Sequence, residues 1–210
     1  MNITDPKIVE YLQRITPAPD DILQEMSALA EKRSFPYIGP QVGRLLYAVV
    51  KMTGAKRILE FGSGFGYSLF WMAKAAPDDA QLIGTEYNKD NVLAAAEFFR
   101  RGGIDHKAQV RHGEGMEIFK SLSGQFDIIA NDAEKKQYPE IFTLSAPRLK
   151  VGGLFISDNA LRKGEVVEPS DDPATKAIQE YNELMFSDPR FFSLIVPIRD
   201  GLSISIRQRE

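Results

Sequence analysis

The feature that most constrains the fold is a short apolar run that leads into a glycine-rich turn and then a helix. Ile58, Leu59 and Phe61 form the apolar run, which is typical of a buried central strand in a parallel sheet. The turn that follows has glycine at positions 62, 64 and 66, where the backbone can turn tightly or approach a ligand. A strand, a glycine-rich turn and a helix in this order predict a nucleotide-binding cradle.

The residues around this turn restrict which nucleotide it binds. A dinucleotide fingerprint counted from Gly62 needs another glycine at position 67, where the sequence has Tyr67. Glu60 places a negative charge at the end of the strand, which repels a pyrophosphate but attracts the ammonium and sulfonium of S-adenosylmethionine. Glu86, at the end of the next apolar run, is positioned to accept hydrogen bonds from ribose hydroxyls. The pattern favours S-adenosylmethionine, and the alternative is that both acids are surface carboxylates beside an ordinary turn.

Composition places the chain in the class of single globular domains. A length of 210 residues with 43% hydrophobic content suits one α/β domain, predicted over residues 1–210. The absence of cysteine excludes disulfides and thiolate metal sites. No run of about twenty apolar residues predicts a membrane span, and residues 1–7 lack signal-peptide character, so we expect a cytoplasmic protein. A net charge of -3 without a dense basic stretch argues against nucleic acid as the main partner.

The first quarter of the chain, residues 1–54, is predicted to form an N-terminal helical cap. Helices are expected after Asp5-Pro6, after Asp20 and from Pro40 to about Gly54, because apolar residues there recur at helical spacing. These helices cover a face of the sheet, cap the active site or form a dimer contact, and the sequence leaves the choice open.

From residue 55 onward, strand and helix patterns alternate, which predicts a doubly wound, mostly parallel sheet and a Rossmann-like core over 55–210. A closing pair of strands, with Asp200-Gly201 as its turn, ends the pattern. Phe191 and Phe192 are expected to fill the core beside these strands. The other predicted elements are helices at 67–75, 88–101 and 173–186 and strands at 108–111, 126–130 and 154–157.

Oxygen-bearing side chains follow two of the predicted strands. Asp132 comes after one strand, and Asp158 and Asn159 come after the next. Because the carboxyl ends of parallel strands meet at one edge, we expect these residues to share that edge with Glu60 and Glu86. Carboxylate and amide oxygens suit Mg²⁺, with Mn²⁺ or Ca²⁺ as alternatives. The competing interpretation is that they only cap and form turns.

Lys135 is a candidate base for chemistry at such a site. Methyl transfer to oxygen requires an anionic acceptor, and a bound cation acidifies a coordinated hydroxyl. Lys135 follows Asp132 by three residues, so a turn can bring it to the same edge, where the cation favours its neutral form. The alternative is a solvated surface lysine like Lys136 beside it.

Four stretches together resemble the catechol and caffeoyl-CoA O-methyltransferase family. They are residues 37–68, the run 132–138, the Ser157-Asp158-Asn159 triplet and the segment 197–202, and the resemblance extends over nearly the whole chain. It implies a class I methyltransferase fold with a seven-stranded sheet, an antiparallel last hairpin and added N-terminal helices. It also implies a homodimer that acts on a small aromatic hydroxyl substrate.

The resemblance further implies roles for individual residues. Asp132, Asp158 and Asn159 would hold the divalent cation, and Lys135, together with Asp132, would serve catalysis by assisting deprotonation of the substrate hydroxyl. The positions implied for S-adenosylmethionine are Ile38, Glu60, Gly62, Ser68, Glu86, Tyr87, Gly113 and Glu114, with Asp132 beside them.

Three functions compete at this stage. The leading one is a cation-dependent S-adenosylmethionine O-methyltransferase for a catechol-like or caffeoyl-type acceptor. A nicotinamide-dependent oxidoreductase is disfavoured by Glu60 and by the missing glycine. A non-catalytic S-adenosylmethionine-binding or regulatory protein is the third, and Lys135 and the complete ligand set argue against it.

Overall fold

The computed structural model describes residues 3–209, in which three helices are followed by alternating strands and helices and by a final pair of strands. Met1 and Asn2, which belong to the stretch that lacks signal-peptide character, lie outside the described residues, as do both ends of the predicted 1–210 domain. Across 3–209, no helix is long and apolar enough to cross a membrane.

The strands of the described residues are β1 (Arg57–Phe61), β2 (Gln81–Glu86), β3 (Ala108–His112), β4 (Phe126–Asn131), β5 (Leu149–Ser157), β6 (Phe191–Val196) and β7 (Leu202–Arg207). They form one seven-stranded sheet in the order β3-β2-β1-β4-β5-β7-β6. β1, β2 and β3 pair in parallel, as do β4 and β5, whereas β7 runs antiparallel to both β5 and β6. This arrangement confirms the predicted mostly parallel, doubly wound fold with an antiparallel last hairpin.

Several helices of the described residues begin where a local side chain caps the first turn. Asp5, Asp20, Asn88 and Asp172 each accept a hydrogen bond from a first-turn amide, which satisfies a donor that the helix leaves open. The helices are α1 (Pro6–Ile15), α2 (Asp21–Lys32), α3 (Gly39–Thr53), α4 (Tyr67–Ala75), α5 (Lys89–Arg101), α6 (Gly115–Ser121), α7 (Tyr138–Ser145) and α8 (Pro173–Ser187). The sequence patterns did not predict α6 or α7.

Close backbone contacts group the chain into two compact units. One unit contains the described residues up to Pro17 together with those from Gln125 onward, and the other is Ala18–Gly124. The division of a single domain into a helical cap at 1–54 and a core at 55–210 stays a prediction.

The core of the Ala18–Gly124 unit explains why the run from Ile58 to Phe61 is mostly apolar. Ile58, Leu59 and Phe61 in β1 are all buried, so the strand is apolar on both faces, as in a parallel sheet covered on two sides. In α4, only Ser68 and Lys74 escape burial. The apolar character of both elements therefore serves the core of this unit.

The core of the unit that contains the residues from Gln125 onward includes a cluster of aromatic side chains. The ring of Phe142 lies 5.2 Å from Phe155 and 5.7 Å from Tyr181, and Tyr138 lies 5.6 Å from Tyr181. At the sheet edge, Phe191 is buried but Phe192 is 54% exposed, because successive strand residues point to opposite faces. The core prediction was therefore wrong for Phe192.

Candidate functional site

The glycine-rich turn after β1 is held against the end of β2 by hydrogen bonds. Ser63 N donates to Thr85 O at 2.9 Å, and Gly62 N donates to Thr85 Oγ1 at 3.3 Å. Gly66 N closes the turn by donating to Ser63 O at 2.8 Å. The path of the turn is thus set within the Ala18–Gly124 unit.

Gly66 has a packing reason as well as a conformational one. Its φ of 84° lies in the left-handed region, and a Cβ at this position would lie 2.6 Å from the ring of Phe99. The need for glycine here therefore comes from the approach of α5 to the turn and would exist without any ligand.

Two carboxylates lie at the carboxyl ends of β1 and β2, as predicted. Glu60 is 2% exposed and Glu86 is 7% exposed, so the alternative that they are surface carboxylates does not hold. Glu86 Oε1 accepts a hydrogen bond from Asn88 N at 2.7 Å, which fixes its orientation at the start of α5. Of the other predicted cofactor positions in this unit, Ile38 is buried and Ser68 is partly buried.

The family resemblance also implies cofactor contacts at Tyr87, Gly113 and Glu114, which follow β2 and β3. These three residues differ in their surroundings. Gly113 N donates to Glu86 O at 2.9 Å, so Gly113 lies beside the end of β2. Tyr87 is 82% exposed. Glu114 caps α6, because its Oε2 accepts from Glu117 N at 2.8 Å. The Glu114 side chain therefore has a structural role in addition to any contact with a cofactor.

In the other unit, Lys135 joins the two strand ends that carry the predicted metal ligands. Lys135 Nζ lies 2.8 Å from Asp132 Oδ1 and donates to Tyr138 Oη at 3.0 Å. Tyr138 Oη in turn donates to the backbone oxygen of Asp158 at 3.0 Å. The Lys135 side chain is 19% exposed, whereas Lys136 is exposed, so Lys135 is not a solvated lysine like its neighbour.

A short 3₁₀ turn at Lys135–Gln137 accounts for this placement. It follows β4 after a few residues and leads directly into α7, whose first residue is Tyr138. Burial raises the pKa of Tyr138 well above its ordinary value, with the charge of Asp132 as a further cause. The phenol therefore stays protonated and keeps its donor role toward Asp158.

The two aspartates of the site occupy an environment that disfavours their charged forms. Burial raises the pKa of Asp158 to about 7, and the negative charge of Asp132 adds to the effect. Burial also raises the pKa of Asp132, although the nearby ammonium of Lys135 opposes this. The positive charge of Arg199 opposes both upward shifts. A pair of crowded acids of this kind gains more from a bound cation than two solvated carboxylates do.

Asn159 is held by Asp200, which the sequence predicts to lie in the turn of the last pair of strands. Its Nδ2 donates to Asp200 Oδ2 at 3.0 Å, and Asp200 Oδ1 accepts from the backbone amide of Lys163. The segment 197–202 contributes to the family resemblance, but its sequence does not indicate which side chain Asp200 contacts. Its contact with Asn159 is visible only in the folded chain.

The residues present fit a hard divalent cation by their chemistry. Asp132 and Asp158 supply two carboxylates, close enough for the charge of Asp132 to raise the pKa of Asp158, and Asn159 supplies an amide oxygen. Among residues 3–209, no group of three or more Asp, Glu, His or Cys is arranged to hold a metal ion. The predicted set has only two carboxylates, so it needs the amide oxygen and further oxygen ligands to complete a shell.

A parallel sheet with this strand order and an antiparallel last pair defines a class I methyltransferase. The chain belongs to the O-methyltransferase family, whose model matches residues 15–208, and it is therefore a methyltransferase. This confirms the family that the sequence motifs predicted, and it argues against the oxidoreductase alternative.

Individual relatives agree with this assignment. The chain is 31% identical to a catechol O-methyltransferase of Niastella koreensis (strain DSM 17620 / KACC 11465 / NBRC 106392 / GR20-10), over 89% of this chain and 90% of the relative. It is also 31% identical to a caffeoyl-CoA O-methyltransferase of Medicago sativa, over 79% and 72% of the two chains. An O-methyltransferase structure from Bacillus cereus, in complex with SAH, superposes with a TM-score of 0.86 at 25% identity, covering 96% and 97%.

Proposed function

We propose that the protein transfers the methyl group of S-adenosylmethionine to a hydroxyl of a small catechol-like or caffeoyl-type acceptor, assisted by a divalent cation. The observation that carries the proposal is the position of Lys135 Nζ, 2.8 Å from Asp132 Oδ1 and hydrogen-bonded to Tyr138. An amine held beside candidate cation ligands is placed to handle the proton of an acceptor hydroxyl. The catechol and caffeoyl-CoA enzymes among the relatives support an aromatic diol as the acceptor class.

S-adenosylmethionine is the methyl donor that this proposal requires. We assign Glu86 to the ribose hydroxyls and Glu60 to the positively charged methionine end, because both carboxylates are buried at strand ends. The SAH complex of the Bacillus cereus relative supports S-adenosylmethionine as the donor. The remaining proposed contacts are Ile38, Gly62, Ser68, Tyr87, Gly113, Glu114 and Asp132.

We assign the cation, Mg²⁺ before Mn²⁺ or Ca²⁺, to Asp132, Asp158 and Asn159. When bound, such an ion lowers the pKa of coordinated hydroxyls and so makes the acceptor oxygen a better nucleophile. The two carboxylates offset the positive charge of the ion. Their raised pKa values show that the site disfavours the negative charges of these carboxylates when no cation is bound.

The chain's own residues supply the remaining requirements. In its neutral amine form Lys135 would take the acceptor's proton at Nζ, and Tyr138 Oη holds that nitrogen by a hydrogen bond of 3.0 Å. Tyr138 is itself buried and bonded to the backbone of Asp158, so the amine is oriented before substrate binds. Asp132 contributes both as a cation ligand and as the partner of Lys135.

We infer a cytoplasmic homodimer that acts on small molecules rather than on nucleic acid or membranes. A net charge of -3 supports the choice of partner, and the exposed apolar residues of α1 support association. The chain is proposed to be one domain, with a helical cap at 1–54 and a core at 55–210.

One set of measurements tests cofactor, cation and activity. Calorimetry should show heat with S-adenosylmethionine and none with NADH. Methyl transfer from labelled S-adenosylmethionine to a catechol should vanish with a chelator and return with Mg²⁺ or Mn²⁺. Asp158→Ala should abolish both cation binding and turnover, because a second carboxylate is needed to offset the charge of the ion.

Results that differ from these expectations would separate the alternative functions. Binding of NADH alone would reject the methyltransferase mechanism. Binding of S-adenosylmethionine without transfer to any catechol or caffeoyl ester would favour the non-catalytic alternative. Transfer that persists in the presence of chelator would show that Asp132, Asp158 and Asn159 serve structure only.

A further inference from the structure

We propose that Asp200 is a positioning residue that sets the orientation of the Asn159 amide, so that the amide oxygen faces the cation. This inference rests on the proposed function, because Asn159 is a cation ligand only there. It extends that function to a residue in the loop between β6 and β7.

The Asp200 carboxylate makes two hydrogen bonds to the segment that follows β5. Oδ2 accepts from Asn159 Nδ2 at 3.0 Å, and Oδ1 accepts from Lys163 N. Asn159 and Asp200 are 41 residues apart, so this contact exists only in the folded chain. Both oxygens of one carboxylate are thus used to hold a single stretch of chain, Asn159 to Lys163.

The backbone brings the two loops together in the same place. Leu161 N donates to Asp200 O, and Ala160 N donates to Gly201 O, both at 2.9 Å. A Cβ at Gly201 would lie 2.5 Å from Leu161 Cγ, so this approach requires glycine. Gly201 permits the two loops to approach closely, and this approach allows the Asp200 carboxylate to reach the side chain of Asn159.

The chemistry of the amide explains why a carboxylate is suited to this task. An asparagine side chain has nearly the same shape in its two flipped orientations, but only its oxygen can bind a cation. An ionised carboxylate accepts hydrogen bonds and donates none, so Asp200 can bond only the nitrogen side of Asn159. That bond leaves Oδ1 on the opposite branch. Carboxylates that orient metal ligands from behind act in the same way in other metal sites.

The backbone of Asn159 adopts a conformation that is uncommon for residues other than glycine. Its φ of 59° lies in the left-handed region, which asparagine tolerates better than most residues. Lys163, at the other end of the held stretch, has a φ of 52°. Asp200 bonds both residues and so helps to maintain the conformation that carries the Asn159 side chain.

The test is the affinity of the full-length protein for Mn²⁺, measured by calorimetry without acceptor. Asp200→Asn keeps the size of the side chain, but its amide can also donate to Asn159 Oδ1 and thus loses the orienting preference. We expect Mn²⁺ binding to weaken by about 10- to 100-fold, the usual effect of losing an orienting partner. Asp200→Glu, which keeps the charge and accepts only, should retain most of the affinity.

Controls separate this effect from misfolding and from a general loss of charge. Asp127→Asn removes another carboxylate, one ion-paired with Lys150 at 2.6 Å, and should leave Mn²⁺ affinity unchanged. S-adenosylmethionine affinity should be unchanged in Asp200→Asn if the variant is folded. In the metal-free protein, the side-chain amide resonance of Asn159, assigned with Asn159→Ala, should move in Asp200→Asn.

The decisive comparison uses Asn159→Ala as a background. If Asp200 acts through Asn159, Asp200→Asn adds no further loss of Mn²⁺ affinity to Asn159→Ala. An additional loss of the same size in that background would show that Asp200 acts as a charge or a direct ligand, and would overturn the inference. Full affinity in Asp200→Asn would also overturn it while leaving the proposed function intact. An unsubstituted protein that does not bind Mn²⁺ would reject the cation mechanism and this inference together.

Discussion

Lys135 is held by three oxygen atoms. Its Nζ donates to Asp132 Oδ1, Ala133 O and Tyr138 Oη, and its side chain is mostly shielded from solvent. Lys136, the next residue, is exposed. Two adjacent lysines therefore differ in their chemistry because only one of them faces the candidate site.

Replacing Lys135 should separate catalysis from binding. Lys135→Met should lower turnover on a catechol by about 10²- to 10⁴-fold, the usual worth of a positioned general base. The S-adenosylmethionine affinity, measured by calorimetry, should stay nearly unchanged. Lys136→Met is the matched control and should retain full activity. A fully active Lys135→Met enzyme would mean that cation-driven ionisation suffices without this base.

The raised pKa of Asp158 predicts how pH affects cation binding. The pKa of about 7 in the folded protein lies above the ordinary value of 3.8. Between these values the folded state holds a proton that the unfolded state has lost, so this group's contribution to stability declines as pH rises through about 7. A cation requires the ionised carboxylate, and its stabilising effect should grow over the same interval.

Thermal unfolding can measure this dependence. The rise in Tm caused by Mg²⁺ should be small near about pH 6 and larger near about pH 8, because protons compete with the ion below the pKa. Asp158→Asn removes the carboxylate and should remove the Mg²⁺ effect on Tm at both pH values. An equal Mg²⁺ effect at both pH values would contradict the assignment of Asp158 as a ligand.

At the scale of elements, the start of α5 links helix stability to the candidate cofactor site. Asn88 Oδ1 accepts from Asp90 N at 2.9 Å and so caps the helix, while its backbone N donates to Glu86 Oε1 at 2.7 Å. One residue thus begins the helix and orients a buried carboxylate.

Substitution of this cap should affect stability and cofactor binding together. Asn88→Ala should lower the free energy of unfolding by about 1 kcal/mol, since a capping acceptor is lost. Asn88→Ser keeps a capping oxygen and should remain close to the unsubstituted protein. Urea denaturation gives the stability, and calorimetry should show weaker S-adenosylmethionine binding for Asn88→Ala. Equal stability of the alanine and serine variants would show that the cap is unimportant.

At the scale of the whole molecule, α1 requires an explanation. None of its ten residues is buried, and Ile8, Tyr11, Leu12 and Ile15 are each at least 40% exposed. Isolated helices of this length are marginal in water, so packing normally stabilises them. The segment before α1 is tied to the β6–β7 loop of the same unit by Thr4 Oγ1, which donates to the backbone oxygen of Pro197 at 3.2 Å.

The proposed homodimer would supply that packing, and light scattering at micromolar concentration tests it. The unsubstituted protein should be dimeric, and Leu12→Glu should shift it toward monomer by placing a charge on the apolar face. Gln13→Glu adds the same charge to the same helix without removing an apolar side chain, and should leave the dimer intact. A protein that is monomeric without substitution would rule out this role of α1.

Local patterns were sufficient for the fold and for part of the site. The apolar run of β1, the glycines after it and the strand-end positions of Glu60 and Glu86 could be recognised because each depends on neighbouring residues and a fixed period. The short helices α6 and α7, of seven and eight residues, escaped prediction because they contain too few turns for a clear period.

The tertiary structure alone decided which polar groups meet. Sequence spacing indicated that Lys135 could reach the edge of the sheet, but its hydrogen bond to Tyr138, and that of Tyr138 to Asp158, depend on how α7 packs beside β5. Asp200 is the clearest case, because its bond to Asn159 spans 41 residues. Hydrogen bonds between distant segments impose no periodicity on the sequence, so only the folded chain reveals them.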